Sequence, residues 1–187
     1  MGIKNGILGY LQMTMLVSLG LLILRLVVGL TLAAHGAQKV FGWWGGPGMA
    51  GWIQSVTRLR IRPAAPWAWV AALSELGGGL LFALGLLSPL GSLAIAGSML
   101  VAIATVHWAN GFWVTKRGYE FNLALIASVA AIALTGPGIY SIDQAIGLHL
   151  PEPLTLLAGT LAVVVGVIAT LASRSPKVEA ETKPQAT

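Results

Sequence analysis

Residues Leu154 to Ala172 read LTLLAGTLAVVVGVIATLA, nineteen positions without an ionisable side chain. A helix of that length rises about 28 Å at ~1.5 Å per residue, close to the ~30 Å hydrocarbon core of a bilayer. No water is available there to satisfy backbone amides, so a spanning stretch of this kind must be helical. Four further apolar runs precede it, over Leu16–Phe41, Trp67–Leu87, Leu90–Ala109 and Tyr119–Thr135. Only 9% of the 187 residues are charged, against about 25% in an average soluble domain. The chain is predicted to be an all-α integral membrane protein. It divides into a four-helix transmembrane core over 16–147 and a fifth C-terminal transmembrane helix within 148–173. Residues 1–15 are expected outside the membrane, and the polar 174–187 as a disordered tail.

The opening "MGIKNG" looks signal-like, but Arg25 interrupts the apolar run and no small-residue cleavage site follows, which predicts an uncleaved helix. The short "LSPLG" between the second and third spans reads as a turn, with Pro89 and Gly91 as breakers. With five spans, the 42–66 loop, the 110–118 loop and the tail share one side, which carries Arg58, Arg60, Arg62, Lys116, Arg117, Arg174, Lys177 and Lys183. The other side carries Lys4, Asp143 and Glu152. The positive-inside rule then predicts a multi-pass protein of the bacterial plasma (inner) membrane, with the N-terminus outside and the C-terminus cytoplasmic. The net charge of +5 reads as residues flanking membrane helices, and nucleic acid is not expected as a partner. In "GMAGWIQSVTRLRIRP", Trp52, Ile53, Val56 and Leu59 fall on one helical face and Gln54, Ser55, Arg58 and Arg62 on the other. That pattern predicts a short interfacial helix with its arginines toward anionic headgroups.

The chain has no cysteine, which excludes disulfides, thiolate metal ligation and chain-held iron–sulfur clusters. Its chemistry must come from the ionisable residues in or beside the spans: Arg25, His35, Lys39, Glu75, His107 and Glu120. Each costs about 2.5–3.5 kcal/mol to bury in hydrocarbon even on the lenient insertion scale, so each is a functional candidate. By helical rise, His35, Lys39, Glu75, His107, Asn110, Glu120 and Asn122 are expected at related heights, with Arg25 near mid-membrane and paired to Glu75.

Such a cluster suits a quinone, whose carbonyls need hydrogen-bond donors and a proton relay. His107, Glu120, Glu75 and Arg25 are the catalytic candidates, and His35, Lys39, Asn110 and Asn122 the ligand-binding ones. Trp108 and Trp113, beside the cluster, are candidates to pack the ring; the remaining tryptophans read as an interfacial belt. Haem held by His35 and His107 is a weaker alternative without a supporting flanking pattern. No ligand spacing recurs on one helix to suggest a metal site. The competing reading for each polar residue is interhelical glue, worth only ~0.6 kcal/mol apiece.

Three motifs, "LRLVVGLTLAAHGAQKVFGWWGGPG", "SELGGGLLFALGLLSPLGSLAIAGSMLVAI" and "VHWANGFWVTKRGYEFNLALIASVAAIALTGPGIYSID", together resemble the DoxX family of small membrane proteins over roughly residues 19–147. The resemblance implies a four-helix membrane core. It also implies kinship with membrane subunits of thiosulfate:quinone oxidoreductase, which associate with terminal quinol oxidases, and with proteins linked to oxidant stress. The family-like positions are Arg25, His35, Gly36, Lys39, Glu75, His107, Asn110, Gly111, Glu120 and Asn122. The fifth span departs from a four-helix pattern. The expected function is a redox-associated, quinone-linked subunit, or else a non-catalytic accessory or assembly subunit of a larger membrane complex. The expected partners are the bilayer and other membrane subunits or further copies of the chain.

Overall fold

A computed structural model describes residues 2–176. The tail expected to be disordered falls from residue 177 onward outside the described residues. Seven α-helices follow one another: α1 (Gly2–Phe41), α2 (Gly48–Arg58), α3 (Ala64–Leu84), α4 (Leu90–Ala102), α5 (Glu120–Thr135), α6 (Ile142–Ile146) and α7 (Glu152–Ala172). Beyond Ala102, α4 continues through a wide π turn (Ile103–His107) and a tight final turn to Asn110. Among the described residues, four helices are long and apolar enough to cross a membrane: Leu8–Phe41, Ala64–Leu84, Leu90–Asn110 and Pro153–Ala172. The chain is an all-α integral membrane protein. At 16 residues, α5 is a shorter return helix, about 24 Å long.

The bundle is held by close backbone approach. With no hydrophobic force between helices in lipid, packing depends on small residues that let backbones meet. A Cβ on Gly29 would lie 2.6 Å from the Gly79 carbonyl oxygen, and one on Gly36 would lie 2.3 Å from the Leu76 amide. These contacts fix α1 and α3 antiparallel and in register. Gly91, expected as a breaker, is instead packed in the first turn of α4, where a Cβ would meet the Phe82 amide at 2.9 Å. Between α1, α3, α4 and α5 lies a core of Val28, Leu32, Phe82, Ile95, Met99, Leu125, Val129 and Ile132.

One end of the bundle carries α2 and the α4–α5 hairpin. The opposite end carries the α3–α4 turn and the segment 136–150. Helix α1 starts at Gly2 rather than near Leu16, and Ser18 marks where it leaves the bundle, its hydroxyl accepting the Ile139 amide at 3.3 Å. Helix α2 is amphipathic as read from sequence. Val56 is buried, with Met49, Trp52, Ile53 and Leu59 packed around it, while Gln54 and Arg58 are exposed.

Helix α7 lies along α4, with Val163 against Gly97 and Leu93 against Gly159. Its far end is tied to the loop after α2: the Arg62 amide donates to the Ser173 carbonyl (3.2 Å) and the Ser175 amide to the Arg60 carbonyl (2.9 Å). Helices α3 and α7 thus flank α4, leaving a gap between them.

A buried Lys39–Glu75 pair on the wall of an apolar cavity

That gap is a cavity of about 340 Å³. Trp52 and Val56 close it from α2, Trp67 and Val70 from α3, and Val163 and Gly166 from α7. On its wall sits a connected polar group. The Lys39 ammonium donates to one Glu75 carboxylate oxygen, and the Ser98 hydroxyl donates to the other at 2.8 Å. The Lys39 Nζ also lies 4.4 Å from the centroid of Trp52, whose indole N–H donates to the Ala68 carbonyl at 3.0 Å. Glu75 is 4% exposed. A carboxylate this buried is tolerable only because a cation and a hydroxyl meet both oxygens. Among the described residues this is the one ion pair. Chemically, an ammonium and a carboxylate beside an apolar space offer N–H donors and a proton acceptor to a hydrophobic guest with polar oxygens.

The structure separates the other sequence candidates from this group. Arg25 does not pair with Glu75, because the α1–α3 register carries it to the opposite end of the bundle. Fully buried there, its Nη2 donates to the Tyr140 carbonyl while Nε and Nη1 have no partner. Asp143 supplies the opposing charge. Its carboxylate also accepts the Leu87 and Ser88 amides at 2.9 and 2.8 Å, closing the α3–α4 turn. Gly85, at φ +62°, faces the guanidinium directly. A second cavity of about 470 Å³ adjoins this end, with Ser18, Ser141 and Asp143 in its lining.

His107, Asn110 and Glu120, expected to point back at the first two helices, serve their own hairpin instead. His107 Nδ1 lies 2.7 Å from the Arg117 carbonyl oxygen; since a carbonyl only accepts, that nitrogen carries the proton. The Asn110 amide donates to the Val106 and Arg117 carbonyls, and Glu120 accepts the Val114 amide at 2.9 Å. A compact loop at a bundle end must satisfy its own backbone groups, and these side chains do so. Trp108 stacks on Tyr119 at 5.4 Å, and Trp113 is exposed. Asn122 is buried and donates to the Met99 sulfur. His35 is exposed on α1. His107 lies nine residues beyond Ser98 along α4, about 13 Å toward the hairpin end.

Sequence reading therefore found Lys39 and Glu75 but missed Ser98 and the cavity-facing role of Trp52. Ser98, a polar residue inside the apolar run "AIAGSMLVAI", was a usable signal. Nothing in the uniformly apolar α7 announced that it forms a wall.

No curated protein and no solved structure matches the chain. The family model that does match is DoxX, over residues 20–108. Those residues contain Lys39, Glu75 and Ser98, whereas α5 and the α7 wall lie beyond them. Over that stretch the chain is similar to the DoxX family.

Proposed function

We propose that this is a redox-associated membrane subunit that binds a quinone-class lipophile in the cavity between α3, α4 and α7. One observation carries the reading: the Lys39–Glu75–Ser98 group lies on the wall of an otherwise apolar space within the ~300–1,000 Å³ range of small-molecule sites. Lys39, with N–H donors beyond the one given to Glu75, would meet a ring oxygen, Glu75 would hold or return a proton, Ser98 would steady the Glu75 carboxylate, and Trp52 and Trp67 would pack the ring. The charge asymmetry of the loops supports a cytoplasmic position for the arginine-rich end.

Gly166 provides a clean test, since it lines the cavity and a Cβ there meets nothing within 4 Å. Titration of the detergent-solubilised protein with decylubiquinone is expected to give saturable quenching of tryptophan fluorescence. Gly166→Phe, whose Cβ meets no neighbour and whose ring would occupy the space, is expected to weaken binding at least tenfold. Equal affinity in both proteins would remove the quinone from this cavity.

A separate observation favours the accessory-subunit reading. Before Ser18, α1 runs on past the bundle with Tyr10 at 72%, Met13 at 69% and Leu16 at 70% exposure. An apolar stretch of about three turns, Leu8–Val17, outside the packed core suits contact with another membrane subunit. Deleting residues 2–14 is expected to shift a native complex to the mass of the isolated chain in size-exclusion chromatography with light scattering. An unchanged mass counts against this reading.

A further inference from the structure

We propose that the arginine-rich seam joining the end of α2 to the end of α7 binds the phosphate of an anionic lipid headgroup. Residues 59–62 run antiparallel to 173–175, held by the two backbone bonds and by Arg174 Nε donating to the Leu59 carbonyl at 3.2 Å. This pairing sets Arg174 beside Arg58, Arg60 and Arg62. Side chains alternate along the seam: Ile61 is buried and Leu59 half-buried against the cavity, while Arg58 and Arg62 are exposed on the other side.

Arg60 is the second, independent observation. It is half-buried at φ +64°, a left-handed backbone unusual for a side-chain-bearing residue, and its Nη1 is out of water with no protein partner. A cation this poorly matched by the protein favours an anion at the part of the guanidinium that stays exposed. None of the four arginines has an acidic partner among the described residues. Glu75 is committed to Lys39, and Glu120 to the hairpin backbone.

Planar guanidinium groups bind phosphate oxygens two at a time, which makes arginine the better host than lysine for this ligand. The seam lies where α2 turns its apolar face inward and its basic end outward, at the end of the apolar helix α7, so a bilayer spanned by α7 would bring its phosphates to this level. The proposal needs only that bilayer placement, and it stands whether or not a quinone fills the cavity.

Native mass spectrometry of the full chain in micelles tests it with dioleoylphosphatidylglycerol, dioleoylphosphatidylcholine and inorganic phosphate as probes. The expected result is a saturable phosphatidylglycerol adduct, with neither phosphatidylcholine nor inorganic phosphate retained. Arg58→Gln, Arg60→Asn and Arg62→Gln combined are expected to weaken it roughly fivefold per arginine removed. Because the triple variant disturbs the seam backbone, Arg62→Gln alone serves as the gentler version, with a roughly fivefold loss expected. Lys116→Gln with Arg117→Asn removes charge from the hairpin instead and is expected to leave binding within twofold. Unchanged phosphatidylglycerol binding in the seam variants overturns the proposal. So does an equal loss in the hairpin variant, which would mean that net charge alone is sensed, or retention of inorganic phosphate alone.

Discussion

Replacing Glu75 with alanine is expected to destabilise the protein by about 3–5 kcal/mol, measured as denaturant unfolding in micelles, because it strands the Lys39 ammonium against the apolar core. The lower half of that range is the better expectation, since the Lys39 side chain keeps 19% exposure and recovers some solvation. Lys39→Met with Glu75→Leu removes both charges and is expected to return to within about 1 kcal/mol of the native protein. The Ser98 hydroxyl can then turn back to its own helix. If the pair existed only for stability, this double variant would lose nothing else. Under the proposed function it folds but no longer binds the quinone. A double variant as unstable as Glu75→Ala would mean that the pair organises the bundle in a way apolar side chains cannot replace.

The second large effect is expected at Gly85. Two costs coincide in Gly85→Ala: a side chain at φ +62°, unfavourable by about 1–2 kcal/mol, and a Cβ that would fall 1.6 Å from Arg25 Nη1. The guanidinium has little room to retreat, since Arg25 is fully buried and tied to Tyr140. The expected loss is more than about 3 kcal/mol, within the range reserved for strain and overpacking of a buried site. Shortening the obstruction with Arg25→Met should relieve the clash with the guanidinium, but neither the backbone cost nor the 2.6 Å approach to the Ser141 Cβ. The two substitutions together are then expected to be less than additive by over ~1 kcal/mol. Strict additivity would show that Gly85 and Arg25 are not in contact.

These two sites also show where sequence reasoning succeeded and where it stopped. The membrane spans and the amphipathic α2 were legible because length, hydropathy and helical period are local properties. Lys39 and Glu75 were legible as candidates because a charge in an apolar run needs a reason. Which charge met which was not legible. Arg25 faces Gly85, and Glu75 lies ten residues from Gly85 along α3, about 15 Å away. The choice between Arg25 and Lys39 as its partner depends on the register of two helices. That register is set by Gly29 against Gly79 and Gly36 against Leu76, contacts between residues forty or more positions apart. The hairpin misled for a different reason. His107, Asn110 and Glu120 look like site chemistry by type, but their hydrogen bonds go to Arg117, Val106 and Val114 nearby in sequence. Sequence shows a polar residue's capacity to bond and leaves its direction open.

The α7 wall has a wider implication. Gly97 and Gly159 bring α7 against α4, and the Ile61–Arg174 bridge fastens its end. The helix is therefore a part of the cavity rather than a free anchor, and it lies outside the stretch that matches the family. Under the proposed function, its small cavity-facing residues would set how wide a ring can enter.

The most direct measurement is photolabelling with an azidoquinone, followed by peptide mapping of the cross-linked residues. The account predicts label on the cavity walls, within 67–76 of α3, 93–106 of α4 and 162–170 of α7, and its loss in Gly166→Phe. Label concentrated in the hairpin 107–122, or at the opposite end around Ser18 and Asp143, would contradict it.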